Sequence, residues 1–402
     1  MTHRISRRHL VQGTAGLAAA AAIPAGIRPV AARQDGPIAI EFWHRNSGDA
    51  IAAWEELAAQ FNEEYAGQFE VTAIAQGEIA ELNQKVRAAA AGGGLPGALM
   101  ADDYDVTQYA FNDIIVPIEP FLNDPEVGLS AEQQDDFLPS QLNRHELEIY
   151  DGHMMAFPQG FSAFTCFWNV DALQAAGFDG PPATWQDFPD HVRAVAGAND
   201  GLAGWYIGGA GDRFISSLLT HGVSWLKPSR EESNFDAPEA LEIMTWWKEL
   251  SDEGLLAVPA DSAKDAFVAG ECAYYMDSSG NTASFQELVT DFAWDCGLPP
   301  QGVNNPTPVT ETYGPVNTLP DTDEDSKLAG WTWLKWLTSP AALSQWVMIT
   351  NYFPSVQSVA VSPELEEYYA NNERAGKLYR EVAPKAQILD PHPALTQVRG
   401  QI

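Results

Sequence analysis

The sequence predicts an α/β protein of two lobes, and three observations carry that prediction. Strand-like and helix-like segments alternate along the first hundred folded residues, the pattern of a parallel sheet with helices on both faces. The second half repeats the style, and the roughly 370 residues that follow the first 32 exceed what one ordinary core accommodates. Between the halves there is no Gly/Ser-rich or low-complexity tether, so strands rather than a flexible linker must join the lobes.

The first 32 residues stand apart from the fold. Ser6-Arg7-Arg8-His9-Leu10 is a twin-arginine pattern, followed by an alanine-rich run to Ile27 and by Val30-Ala31-Ala32, whose small side chains suit cleavage. Gly13, Gly16, Pro24 and Gly26 argue against a buried helix there. With no cysteine near the cleavage point, the expectation is an exported protein free in the periplasm or the external medium, without a lipid anchor.

Ile38–Trp43 then reads as a strand, and Asp49 as the cap of a helix with Ile51, Trp54, Leu57, Phe61 and Tyr65 on one stripe. A strand over 69–75 and a helix to Ala91 follow. Gly92–Gly97 breaks the helix, and Ala98-Leu99-Met100 is a short buried strand. In open parallel sheets ligands sit beyond the carboxyl ends of strands. Those ends are Trp43-His44-Arg45, Gln76-Gly77-Glu78 and 101–105.

Residues 166–188 are the most informative stretch. An apolar strand through Phe167 and Trp168 stops at Asn169, a suitable helix N-cap. Val170, Leu173 and Ala176 form a short stripe that Gly177 ends. Pro181-Pro182 blocks helix, and Thr184 with Asp187 makes a capping box for the next one. Further on, Asp236 and Pro238 open a helix bearing Leu241, Met244, Trp247 and Leu250, closed at Gly254. A helix end at Phe267 feeds a strand to Met276, and Asp277–Gly280 is its polar turn. Trp331, Leu334 and Leu337 make another stripe, and Pro340 begins the next helix.

Composition narrows function. The net formal charge is −33, and loss of the leader removes four arginines and no acid. Such a surface repels nucleic acid and anionic lipid, and it repels anionic ligands unless a local cation cluster offsets the field. After residue 32 no run approaches the ~18 apolar residues of a membrane span. Cys166, Cys272 and Cys296 show neither CxxC nor metal spacing; Cys272 with Cys296 is the nearer pair for a disulfide, and the expectation is that none forms. There is no GxSxG, HExxH, phosphate loop or dinucleotide glycine fingerprint. Asp105 and Glu311 are the acids a glycan hydrolase would use, though nothing in the sequence sets their spacing.

The 166–188 stretch resembles the extracellular solute-binding proteins of ABC importers, in the branch that carries sugars and glycerol phosphates. Phe42-Trp43-His44, the 94–97 approach to Leu99-Met100, Ile114–Ile118, Phe267–Ala273 and Trp331–Pro354 extend the resemblance over most of the chain. It implies a type II-like periplasmic-binding-protein fold with the ligand cleft between the lobes. The first lobe would comprise 36–158 plus 314–352 and the second 159–313 plus 353–402, with three crossings. It implies a monomer that captures a carbohydrate or polyol, delivers it to membrane permease subunits, uses no cofactor or metal and catalyses nothing. Glycerol phosphate or its diesters are the alternative ligands, and a secreted glycan-active hydrolase is the alternative of another class.

The resemblance places ligand contacts at Asp105, Ser162, Ser278 or Ser279, Gly314, Tyr352 and Arg399. Residue chemistry adds Trp43, His44 and Trp205, the last beside Arg213. Carboxylates and hydroxyls suit polyols, and aromatic faces suit the C–H faces of sugars. Trp43 and Trp168 fit a core as well as a sugar platform, His44 a cleft or solvent, and Arg399 a phosphate or a helix end. Two departures weigh against phosphate. Gly77-Glu78-Ile79 stands where glycerol-phosphate binders carry a tyrosine, and Trp205 is out of register with their paired tryptophans. The resemblance also implies a further long helix after Arg399.

Overall fold

In the computed structural model the described residues are 36–399, apart from 47, 260, 261 and 393. The twin-arginine segment lies outside them. Two sheets organise the chain. The first contains β1 (Ile38–His44), β2 (Phe69–Ala75), β3 (Ala98–Ala101), β4 (Ile115–Val116) and, from far downstream, Val316–Pro320. Its order is β2-β1-β3, then Val316–Pro320, then β4. β1 pairs parallel to β2 with Ile38 opposite Phe69, and to β3 with Phe42 opposite Ala98. Val316–Pro320 returns antiparallel to β3, with Val316 opposite Ala101.

The second sheet contains β5 (Gly160–Asn169), β6 (Ala203–Tyr206), β7 (Leu256–Ala257), β8 (Cys272–Ser278), β9 (Trp294–Gly297) and β10 (Thr310–Tyr313). Val316–Pro320 is β11; β12 (Phe353–Pro354) and β13 (Ala386–Gln387) complete the second sheet. This sheet is mixed rather than parallel. β6 runs parallel to β7 and β8, whereas β5 is antiparallel to β8, β9, β10 and β12. The reason is direction of travel: β5 leaves the junction between the sheets, and β8 returns toward it, so that Phe164 faces Ser278.

Each sheet has its own apolar core. Phe42, Trp54, Leu57, Phe61, Trp331, Trp333 and Trp346 fill the first, with helices Asp49–Glu64 and Glu324–Trp336 against the sheet and Pro340–Thr350 against Asp49–Glu64. Trp185, Phe188, Trp205, Trp246, Trp247 and Tyr274 fill the second. Ring pairs such as Trp54–Trp346 at 4.4 Å and Phe188–Tyr274 at 5.1 Å are within the range where aromatic geometry adds to burial. Val356, Val359, Leu365 and Tyr369, from the segment after β12, also pack into the first core. Cys166, Cys272 and Cys296 are buried free thiols.

Where the chain passes between sheets, segments distant in sequence lie side by side. Phe157 N–H donates to the Asn317 carbonyl at 2.7 Å and receives a bond from Asn317 N–H at 2.9 Å. Phe353 pairs with Phe161, and Tyr313 with Ser162.

Most local readings hold. Asn169 caps helix Val170–Ala175 by accepting from Ala172 N–H, and Gly177 takes φ +85°. Three details differ. The helix after Pro181-Pro182 begins at Phe188, because Thr184 bridges Gln301 and Trp185 N–H bonds the Gln301 carbonyl; Thr184 and Asp187 form a turn. Gly48, not Asp49, is the N-cap of the first helix. In helix Pro238–Asp252 the buried face is Ala240, Ile243, Trp246, Trp247 and Leu250, while Leu241 and Met244 are 68% and 43% exposed. The stripe is rotated because two adjacent tryptophans, not one, enter the core.

Candidate ligand-binding site

A cavity of about 250 Å³ opens between the two sheets. Its first wall comes from strand ends, as open-sheet architecture requires. Arg45 follows β1, and Asp102 follows β3 as N-cap of helix Asp103–Phe111. Arg45 Nη2 donates to Asp102 Oδ1 at 2.9 Å. Asp103 is held from behind by Arg144 Nη2 at 2.5 Å and His145 Nε2 at 2.7 Å. Burial opposes the Asp103 charge, but the Arg144 guanidinium and the His145 contact outweigh it and hold the carboxyl below its usual range. Tyr104, in the first helical turn, presents its ring to the cavity.

The second wall is assembled from distant segments. Ser162 of β5 accepts a 2.8 Å bond from Ser278 Oγ at the end of β8. Tyr352 packs against Gly280 and Gly314; a Cβ on Gly280 would lie 2.8 Å from its ring, and one on Gly314 3.3 Å. Gly314 also needs its φ of +99°, so two demands converge on glycine there. Glu311 and Tyr313 extend from β10. Arg399 reaches in from the short helix Leu395–Arg399, and Gly211 admits it: a Cβ at Gly211 would sit 2.0 Å from the Arg399 carbonyl.

Ion pairs dominate this wall. Arg399 Nη2 donates to Glu311 Oε1 at 2.6 Å, and its Nε lies 3.0 Å from Asp212. Glu311 also accepts from the Ser216 hydroxyl. Burial pushes the Glu311 carboxyl above its usual range, against the pull of Arg399. A second cavity of about 280 Å³ adjoins, sharing Tyr104, Tyr313 and Arg399 and adding Asp212, Arg213 and Asp277. Arg213 pairs with Asp277 at 2.9 Å and donates to Tyr313 Oη at 2.7 Å. Polar lining with aromatic faces can hold a polyhydroxylated molecule: carboxylates and hydroxyls address its O–H groups, rings its C–H faces.

Residues 56–373 match the family model of the bacterial extracellular solute-binding proteins. The chain belongs to that family. The sn-glycerol-3-phosphate-binding periplasmic protein UgpB of Escherichia coli K12 is 22% identical over 368 residues, covering 87% of this chain and 81% of its own length. Among solved structures, the cyclic alpha-maltosyl-1,6-maltose binding protein of Arthrobacter globiformis superposes with a TM-score of 0.75 at 18% identity, covering 90% and 91%. UgpB of Mycobacterium tuberculosis in complex with glycerophosphocholine gives 0.75 at 23%, covering 88% of each chain. At these identities the structural likeness establishes the two-lobed α/β fold.

In this solute-binding protein the structure brings Ser162, Ser278, Gly314, Tyr352 and Arg399 together at the cavity. It places five other expected residues elsewhere. Trp205 is fully buried, stacked near Trp185 and Trp246 in the second core. His44 ends β1 but turns inward beside Phe42 and Trp54, and burial lowers its pKa to about 4. Trp43 bonds Glu41 and packs with the Leu82–Val86 cluster. Ser279 is buried, accepting from Ala163 N–H. Asp105 lies beneath the cavity, bonded to Asn83 Nδ2 at 2.6 Å and to Asp102 N–H at 3.4 Å, so Asp102, Asp103 and Tyr104 face the space instead. The Asp105–Glu311 pair weighed for hydrolysis is therefore not assembled there. Trp168 is a core residue as well.

Sequence reading missed Arg45, Tyr104, Tyr313 and the 388–395 segment, which contributes Ile388, Leu389, Pro391, His392 and Leu395. Arg45 and Tyr104 sit within the strand ends already singled out. Nothing local marks Tyr313 or 388–395, whose position depends on pairing of β13 with β10.

Proposed function

We propose that this protein is the extracytoplasmic receptor of an ABC importer, capturing a carbohydrate between its lobes and presenting it to membrane permease subunits. The cavity between the sheets, where the hydroxyls of Ser162 and Ser278 meet the rings of Tyr104, Tyr313 and Tyr352, is the observation that carries this reading. The lobes are 36–158 plus 314–352 and 159–313 plus 353–402, with 356–371 packed on the first lobe's side. Ligand bridging both walls favours a closed form by hinge motion at the three crossings. Export follows the twin-arginine route, the working unit is a monomer free of cofactor, and the bound sugar leaves unchanged.

A thermal-shift screen against mono- and short oligosaccharides tests this. A sugar at ~100 times its dissociation constant adds about 2.7 kcal/mol, enough to raise the melting point by a few degrees. Recovery of the sugar unaltered by chromatography is the second expected result. No shift with any neutral sugar, or conversion of one, overturns the reading. The glycerophosphate ligands in the names of the UgpB relatives favour a second ligand class of glycerol phosphate or its diesters. The same screen includes it.

A further inference from the structure

The two cavities carry an unusual charge pattern that bears on which ligand enters. Arg45, Arg213 and Arg399 line them, and every one of these guanidiniums is already committed to a carboxylate: Arg45 to Asp102, Arg213 to Asp277, Arg399 to Glu311 and Asp212. Arg144 neutralises Asp103 from behind. Five carboxylates thus face four arginines, so among the described residues the lining holds no surplus arginine or lysine. A phosphate monoester needs guanidinium donors free to make bidentate bonds. A phosphate dianion beside Arg399 would either share that guanidinium with Glu311 and Asp212, whose charges repel it, or displace Glu311, and a buried carboxylate stripped of its partner is strongly unfavourable. Hydroxyl donors face no such obstacle, because paired carboxylates retain spare lone pairs.

Glu311 is the most tightly built of these partners. It is 4% exposed, fixed in β10, and its two oxygens are taken by Arg399 and by the Ser216 hydroxyl. Ser216 in turn contacts Tyr313 Oη, which Arg213 also bonds. Asp212, by contrast, is 42% exposed and touches Arg399 only at Nε. We propose that Glu311 sets the charge class of the ligand: by pairing Arg399 it excludes phosphate monoesters from a site that accepts neutral polyhydroxyl ligands. The proposal rests on the reading of this cavity as the receptor's ligand site.

Isothermal titration of the full chain with sn-glycerol 3-phosphate decides it. Glu311→Gln keeps the shape and the hydrogen-bonding oxygen while releasing Arg399 from a full charge. It should bind glycerol 3-phosphate at least about tenfold more tightly than the unchanged protein, with the gain shrinking as salt rises. Asp212→Asn, at a more exposed position, should shift affinity in the same direction by less and keeps the test alive should Glu311→Gln fail to fold. Asp190→Asn, which removes a charge from the distant helix Phe188–Ala198, should change nothing. The proposal falls if Glu311→Gln binds no more tightly or more weakly, or if Asp190→Asn gains as much. Neutral sugars titrated into the unchanged protein judge the carbohydrate reading separately. The ratio between variant and unchanged protein for glycerol 3-phosphate alone judges Glu311.

Discussion

The two walls of the cavity are built by different means. The first is comparatively local: Arg45, Asp102, Asp103 and Tyr104 all sit at strand ends or the helical turn that follows, inside the continuous βαβαβ stretch from β1 to β3. The second joins residues from β5, β8, β10, helix Ala210–Thr220 and Leu395–Arg399, with partners 88 to 116 positions apart. Local geometry supports the first wall even when one contact is lost, because backbone hydrogen bonding already places Asp102. The second wall has no such template, and its buried ion pairs register the segments against one another. The walls therefore differ in what breaks them.

The largest expected effect is on the second wall. Arg213→Met removes the partner of Asp277 and leaves Tyr313 Oη short of a donor in a region where Arg213 is only 6% exposed. Stability should fall by about 3–5 kcal/mol in urea denaturation, and a loss under about 1 kcal/mol would mean that the wall does not depend on this ion pair.

Next is Asp105, beneath the first wall. Burial, reinforced by the Asp102 charge, raises its pKa to about 7. The folded value lies above the unfolded one of about 3.9, so its contribution is complete below ~pH 4 and disappears as pH rises through 7. Across that window the stability of the unchanged protein should decline relative to Asp105→Asn by on the order of 3 kcal/mol. Urea melts at a series of pH values measure this difference; a constant offset would show that Asp105 titrates normally.

Arg45→Met should be the mildest. The Arg45 side chain is 21% exposed, and Asp102 keeps its place through Arg45-independent bonds, so about 1 kcal/mol is expected, diminishing in high salt. A loss as large as that of Arg213→Met would erase the distinction between the walls.

The same distinction explains what could be read in advance. Asn169, Gly177 and the strand over 69–75 are decided by nearest neighbours, through caps, left-handed backbone and alternation, and they stand where the pattern put them. From sequence, indole and imidazole look alike in a core and in a cleft. Here Trp205 and His44 went to cores and the tyrosines to the cavity, where a phenolic hydroxyl stays near polar partners. Helical phase decides Asp105: as the third residue of helix Asp103–Phe111 it turns under the first turn, toward Asn83, while Asp102, Asp103 and Tyr104 face the cavity.

By itself the sequence determined the α/β class, the two lobes and the order of most elements, because periodicity, capping and glycine positions act over a few residues; five of the cavity residues came from its resemblance to the solute-binding family. Tertiary structure alone decided the mixed second sheet, the inward turn of Asp105, the arrival of 388–395 at the cavity and the pairing of every cavity arginine with an acid. Those depend on which distant segments share a hydrogen-bonding edge and on which charges burial forces together, and neither is encoded in local spacing.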